Sequence, residues 1–427
     1  MLRPAILDST TASFVWTVSS AMGRFSNILK KPISRRGALI GSAAGVAGGA
    51  AAIQILSGCS RKEPEGSPVE ATNEDAQNML EYEETEDDLL KLENSWELPL
   101  GSILLPSEGR WIAAIAKGPS AFPINIACAF DSTNGELKEV VTQMRGDTPS
   151  MALYDARCSD SVFAWAEIDM RTRSWSLYAS AFSEGALTGN VSTLWQGDKD
   201  WSPPQFCCTG TKVFWQVMPL ASGKYRNEHS GLFVWHVGDN SARQVIDSPG
   251  RFATPPTLSG ETITCSPRVN PNQGIFYGIS AYKTADDCDT LLDQLVLPQT
   301  VRPYTAVRMG NHFAFSVEAK YSTGGLLANM GSYISNADGS FLMLPREPFA
   351  GITGKDDCYI IKSRSYYFVL DSARERYSIL TSANHSVDYG EYPARDGITS
   401  SLITYSTIKD ASTGYPESVS VRSFSFA

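Results

Sequence analysis

The chain has 427 residues, a net charge of −10 and 42% hydrophobic residues. An acidic balance without a basic stripe argues against nucleic acid as a partner. It also repels anionic lipid head groups, so any hold on a membrane must come from another source.

That source stands near the N-terminus. Ser34 precedes a twin-arginine pair, Arg35 and Arg36; an uncharged Gly/Ala/Ile/Val run follows and closes on Leu56-Ser57-Gly58-Cys59. The order is that of a cleaved export signal rather than a spanning helix. Its weak apolarity suits twin-arginine export, and its last four residues form a lipobox in which the Cys59 thiol takes a diacylglycerol. Two acyl chains, at about 0.8 kcal/mol per buried methylene, hold a protein on a membrane. Residues 1–58 are read as signal peptide, and the mature protein as extracytoplasmic and lipid-anchored. Met22 gives a more usual signal length than Met1, so both starts stay open. Seven cysteines remain beside Cys59: Cys128, Cys158, Cys207, Cys208, Cys265, Cys288 and Cys358. An odd set cannot all pair internally, and a protein that folds before export does so in a reducing compartment. Most sit in apolar runs as small hydrophobes, with one bridge formed after export left open.

Residues 59–94 are acidic and poor in aromatics, a composition expected to give a disordered spacer. Docking of Leu89–Trp96 on the domain is the alternative. From Ser95 the chain changes to short strands with alternating apolar and polar residues, such as Val162–Ala166, Val213–Val217, Leu232–Trp235, Tyr366–Leu370 and Val419–Phe424. One short helical candidate spans Asp287 to Leu295. A proline opens each of seven units, at Pro99, Pro149, Pro203, Pro255, Pro303, Pro348 and Pro393. A spacing of about fifty residues fits four-stranded propeller blades. Polar turns recur before each unit's last strand, at Asp131–Glu136, Gly238–Arg243, Asn336–Ser340 and Asp371–Arg376. The last unit ends after its third strand, and the stretch around Ser95–Leu98 can supply the fourth and close the ring. The expected fold is an all-β, seven-bladed β-propeller over residues 95–427, with six blades as the alternative.

On Ser34-Arg35-Arg36, Leu56-Ser57-Gly58-Cys59 and the unit pattern around Trp201-Ser202-Pro203-Pro204, the chain resembles twin-arginine-exported bacterial lipoproteins carrying a TolB-like or WD40-like β-propeller. Pro204 departs from the acid of the TolB repeat, no Gly follows, and the Gly-His and Trp-Asp signatures of WD40 repeats are absent. The resemblance implies a fold used for binding or scaffolding more often than for catalysis.

Catalytic sets do not emerge. The sequence has no Gly-x-Ser-x-Gly elbow, no His-Glu-x-x-His and no Cys-x-x-Cys, so no catalytic residue, metal ligand or cofactor is assigned. His229, His236, His312 and His385 lie in different units. Cys207 and Cys208 face opposite sides of a strand. Asp286, Asp287, Asp289 and Asp293 offer oxygens without the spacing of a calcium loop and read as a solvated loop. Trp165, Trp175, Trp195, Trp215 and Trp235 read as packing between blades. Loop length is more telling. Met218–Ser230, Ala319–Gly331 and Ile408–Glu417 are long and open on the face of the blade-to-blade connections, where binding residues collect. Arg145, Asp147, Asp198, Asp200, Trp201, Arg251, Arg302, Arg346 and Arg395 are placed on that face. They suit a polar or charged ligand at the channel mouth, offered by an unidentified protein, peptide or glycan. The alternatives are a hydrolase or lyase acting on a charged polysaccharide or peptide, and a cofactor-dependent oxidoreductase, for which no motif exists.

Overall fold

The computed structural model describes residues 66–427 apart from 87, 120–122, 124, 323, 348–350 and 388–390. Every described residue belongs to one compact unit. Ser34, Arg35, Arg36 and Cys59 lie outside the described residues.

The described residues form seven sheets, and the protein is an all-β propeller. In chain order the innermost strands of the first six are Ile103–Leu104, Met151–Cys158, Gln205–Thr209, Thr257–Ser259, Thr305–Met309 and Ile352–Lys355. From each, the chain steps outward through antiparallel neighbours. The third sheet is representative, running Gln205–Thr209, Lys212–Val217, Ser230–His236, Arg243–Ser248. The predicted polar turns join third to fourth strands, as between Ser230–His236 and Arg243–Ser248. Strand alternation sends successive side chains into opposite gaps. Cys207 thus joins the core between the third and fourth sheets, and Cys208 the core between the second and third. Seven core clusters fill the gaps between neighbouring sheets, and one of them joins the last sheet to the first through Leu98, Ile403 and Val421 against Ile112 and Phe130. Trp165, Trp195, Trp215 and Trp235 pack in or against these clusters, and Trp175 is buried. All seven described cysteines are free.

Ring closure follows the expectation and extends it. Leu90–Pro99 pairs antiparallel with Pro416–Phe426 along its whole length, from Leu90 opposite Phe426 to Pro99 opposite Ser418. It is the outermost strand of a sheet ordered Tyr392–Pro393, Ser401–Lys409, Pro416–Phe426, Leu90–Pro99.

The spacer expected over residues 59–94 is corrected from Gly66 onward. The chain forms a belt along the outer edges of four successive sheets. Asn270 Nδ2 donates to the Gly66 carbonyl and Val69 N to Val296 O, both at 2.9 Å, on the fourth sheet. Ala76–Asn78 pairs parallel with Phe341–Met343 of the fifth, and Glu83–Glu84 with Arg376–Tyr377 of the sixth. Ala71, Met79, Leu89 and Leu90 are buried beneath it. Edge strands offer unpaired N–H and C=O groups, and the belt satisfies them. Its acids point outward: Glu81, Glu83, Glu84, Glu86 and Asp88 include none of the buried residues.

The helical candidate Asp287–Leu295 is also corrected. Asp287 and Cys288 take φ of 58° and 67°, incompatible with a right-handed helix, and Leu291–Val296 is a strand. Three side chains of the third sheet fix the turn. Lys212 Nζ, His236 Nε2 and Arg243 Nη2 approach the Asp287 carboxylate at 2.8, 2.9 and 3.0 Å.

Candidate functional site

The innermost strands surround a channel cavity of about 540 Å³. Along Met151–Cys158 the alternation that buries Ala156 and Cys158 turns Asp155 and Arg157 toward it. A bulge between Leu153 and Asp155 adds Tyr154 to the same wall. Arg157 pairs with Asp155 and lies 5.8 Å from the centre of the Phe206 ring.

One end of this cavity is crossed by the chain itself. Arg395 donates from Nη1 to Ser107 O at 2.6 Å and from Nη2 to Gly109 O at 2.5 Å, both in the first sheet's first turn. Gly397–Ile398 then pairs parallel with Thr353–Gly354 of the sixth sheet, and Ile398 N donates to Ser259 Oγ of the fourth at 3.1 Å. Gly397 is required there: its φ is 61°, and a Cβ would stand 2.6 Å from that of Ser259. Burial pushes the neighbouring Asp396 carboxyl up, and Arg157 opposes the shift. Arg395 is therefore not in a blade-to-blade connection as predicted. Tyr392–Pro393 is the innermost strand of the seventh sheet, so Arg395 opens the turn after it, at the opposite end of the channel.

The other end carries the connections and the loops joining second to third strands. Of the three predicted long loops, two are present, between Lys212–Val217 and Ser230–His236 and between His312–Val317 and Gly331–Ser335. Ile408–Glu417 is a tight turn instead, because the flanking strands run on to Lys409 and from Pro416. The fourth sheet adds a long excursion between Cys265 and Phe276. Long loops are thus gathered on three consecutive sheets, the third, fourth and fifth.

The loop after Val217 is tied down. Trp201 bridges to Pro219, Leu220 N donates to Asp200 O at 2.8 Å, and the rings of Trp201 and Tyr225 stack with centres 5.9 Å apart. Arg251 donates from Nη1 to Ser202 Oγ at 2.8 Å and to the Pro219 carbonyl. Beside this platform Arg226, Arg251, Arg268 and Arg302 line a pocket of about 240 Å³ with Ala221, Asn227 and Tyr277. Sequence reasoning placed Arg251 and Arg302 on this face and missed Arg226, Arg268 and Tyr277. The long loop holding Arg226 was visible; nothing local marks Arg268.

The remaining predicted residues do not converge here. Arg145 donates its backbone N–H to Glu167 at 3.0 Å, and its guanidinium lies 5.6 Å from the Tyr178 ring centre. Asp147 is exposed, and the Asp198 carboxylate accepts from Asp200 N at 2.9 Å. Arg346 is exposed at the end of the fifth sheet, with its N–H on Met330 O at 3.1 Å. Among the described residues no group of three or more His, Cys, Asp or Glu side chains could hold a metal, and no helix is long and apolar enough to cross a membrane.

No family model and no curated protein matches the chain. Solved structures similar to it include β-propeller domains. The β-propeller domain of the Trilobed protease from Pyrococcus furiosus is 10% identical, with a TM-score of 0.46, over 80% of this chain and 97% of that one. TolB from Acinetobacter baumannii is 11% identical, with a TM-score of 0.38, over 64% and 63%. The WD40 β-propeller domain of Doa1 is 9% identical, with a TM-score of 0.42, over 79% and 95%.

Proposed function

We propose that the protein is a binding propeller of seven blades, one per sheet, anchored on the outer side of the cell membrane through Cys59. It engages a protein, peptide or glycan carrying negative charge through its long-loop face. The observation that supports this most is the platform of Trp201, Tyr225, Arg251 and Arg302, an aromatic and cationic surface on loops held by hydrogen bonds to a rigid ring. Ordered loops of this kind lose little entropy on binding. The Cys59→Ala protein should leave the membrane fraction; retention there would sink the anchor. Residues 66–427 should bind acidic peptide or glycan arrays with salt-sensitive affinity, and Tyr225→Ala or a Gly-Ser replacement of residues 220–228 should weaken that binding about tenfold or more. Binding unchanged by both would remove the face from consideration.

A second reading draws on the channel. Tyr154, Asp155, Arg157 and Asp396 share one cavity, the setting for a hydrolase or lyase acting on a charged polysaccharide or peptide. Turnover lost in Asp396→Asn and kept in Tyr225→Ala would favour it.

A further inference from the structure

Four arginines converge where the chain as a whole is acidic. Arg226 comes from the long loop of the third sheet, Arg251 from the connection to the fourth, Arg268 from the fourth sheet's excursion and Arg302 from the connection to the fifth. No carboxylate lines the pocket they form, and no ion pair among the described residues includes any of them. Like charges gathered in one concavity repel, so the arrangement raises the free energy of the empty site. Burial and the nearby Arg302 both disfavour the charged Arg251 guanidinium.

A second feature concerns one of the lining arginines itself. The Nε of Arg268 is buried and has no hydrogen-bond partner, a costly state for a cationic donor. Its position is set from behind, since a Cβ at Gly250 would stand 2.6 Å from its Cδ. Arg251 and Arg302 are steadied from outside the pocket, by Ser202 Oγ and by Ala253 O at 3.4 Å. Two of the four guanidinium groups are therefore held in place before any ligand arrives.

We infer that this pocket is a binding site for a doubly charged phosphate group, either free phosphate or the phosphomonoester end of a larger molecule. Arginine forks match tetrahedral oxyanions with paired N–H···O bonds. A carboxylate brings one charge and two oxygens, which leaves most of the donors unused. About 240 Å³ accommodates one such group with room beside it, so a larger ligand can place its charged end among the arginines. The inference rests on the proposed binding face for the choice of face and adds the chemical group bound there.

The test is calorimetry on residues 66–427 with inorganic phosphate, and with acetate at equal ionic strength. Phosphate should bind at least about tenfold more tightly than acetate, and Arg226→Gln with Arg302→Gln should weaken it at least about tenfold. Both arginines are exposed, which spares the fold. Arg171→Gln, an exposed arginine of the second sheet's turn, should change nothing. Co-sedimentation with vesicles of phosphatidic acid against phosphatidylglycerol separates the sources: selective sedimentation assigns a lipid phosphomonoester, and phosphate binding without it assigns a soluble one. Equal affinity for acetate and phosphate, or phosphate binding that survives the double variant, overturns the inference. If acidic peptides or glycans still bind while phosphate does not, the pocket assignment fails and the binding face stands. If loss of the loop platform abolishes peptide binding but not phosphate binding, the two readings are separable and the pocket stands.

Discussion

Arg422 Nε meets Glu391 Oε1 at 2.7 Å inside the seventh sheet, where the Glu391 side chain is fully buried and that of Arg422 only 15% exposed. Thr404 Oγ1 and the Ala383 N–H also donate to this carboxylate. The pair lies in the sheet that closes the ring, since Arg422 belongs to the strand paired with Leu90–Pro99. Removing the carboxylate leaves a largely buried guanidinium with no counter-charge. Glu391→Ala should therefore cost about 3–5 kcal/mol, and Glu391→Gln, which keeps an acceptor, less. Urea unfolding of both variants measures this. A loss under about 1 kcal/mol for the alanine variant would contradict the clamp.

The belt makes a different prediction. Residues 90–427 keep the closing strand but lose the segments paired with Phe341–Met343 and Arg376–Tyr377, together with Met79 and Ala71. Their loss exposes two strand edges and opens apolar pockets. The shorter protein should still fold, with a lower melting temperature and a greater tendency to aggregate than residues 66–427. Hydrogen exchange should rise first in Phe341–Pro345 and Arg376–Thr381. Equal stability of the two proteins would mean that the belt contributes nothing beyond coverage.

Acid stability has a local source in Asp131. Its side chain is fully buried, and hydrogen bonds from Arg110 lower its pKa from 3.8 to about 2, opposed by burial and helped by Thr133. The folded state therefore binds this proton more weakly than the unfolded state. The contribution is present above about pH 4 and is lost as pH falls toward 2. A shift of that size corresponds to about 2 kcal/mol. Asp131→Asn should lose about that much at pH 7 and show a flatter stability curve between pH 4 and pH 2. A variant that tracks the parent across that range would assign the acid sensitivity to other carboxylates.

The ring was legible because it depends on patterns that survive in one dimension. Alternation in Val213–Val217 and Tyr366–Leu370, the proline spacing and the missing last strand all follow from strand pairing. The belt was not, because Ala76–Asn78 and Glu83–Glu84 are too short for a visible period and carry their charge on an outward face. Acid density there signals solvation, which an outermost segment and a disordered one share. Arg395 was misplaced because Pro393 resembles the other unit-opening prolines, while the chain enters the seventh sheet at Tyr392, leaves it after Pro393 and spends Arg395–Ser400 crossing the channel. Arg251 and Arg302 were found because connections can be counted. Arg226 and Arg268 join them only through tertiary folding, which brings two loops and two connections to one point.

The cysteines offer a direct check on the packing. Six of the seven described thiols are buried, and Cys358 is partly buried. Burial pushes Cys128, Cys158 and Cys358 up to about 12, and Cys207, Cys208 and Cys265 well above the ordinary value. Since the thiolate is the reactive form, the native protein should hardly react with a thiol reagent at pH 8. Dissolved in guanidinium without reductant, residues 66–427 should titrate seven thiols. Two or more fast-reacting native thiols would contradict the burial, and five titrated after unfolding would reveal one disulfide. Cys207 and Cys208 sharpen the test, because their side chains enter different inter-sheet cores. A reagent that bridges vicinal thiols, such as a trivalent arsenical, should find no purchase on the native fold and should capture the pair only once the third sheet has come apart.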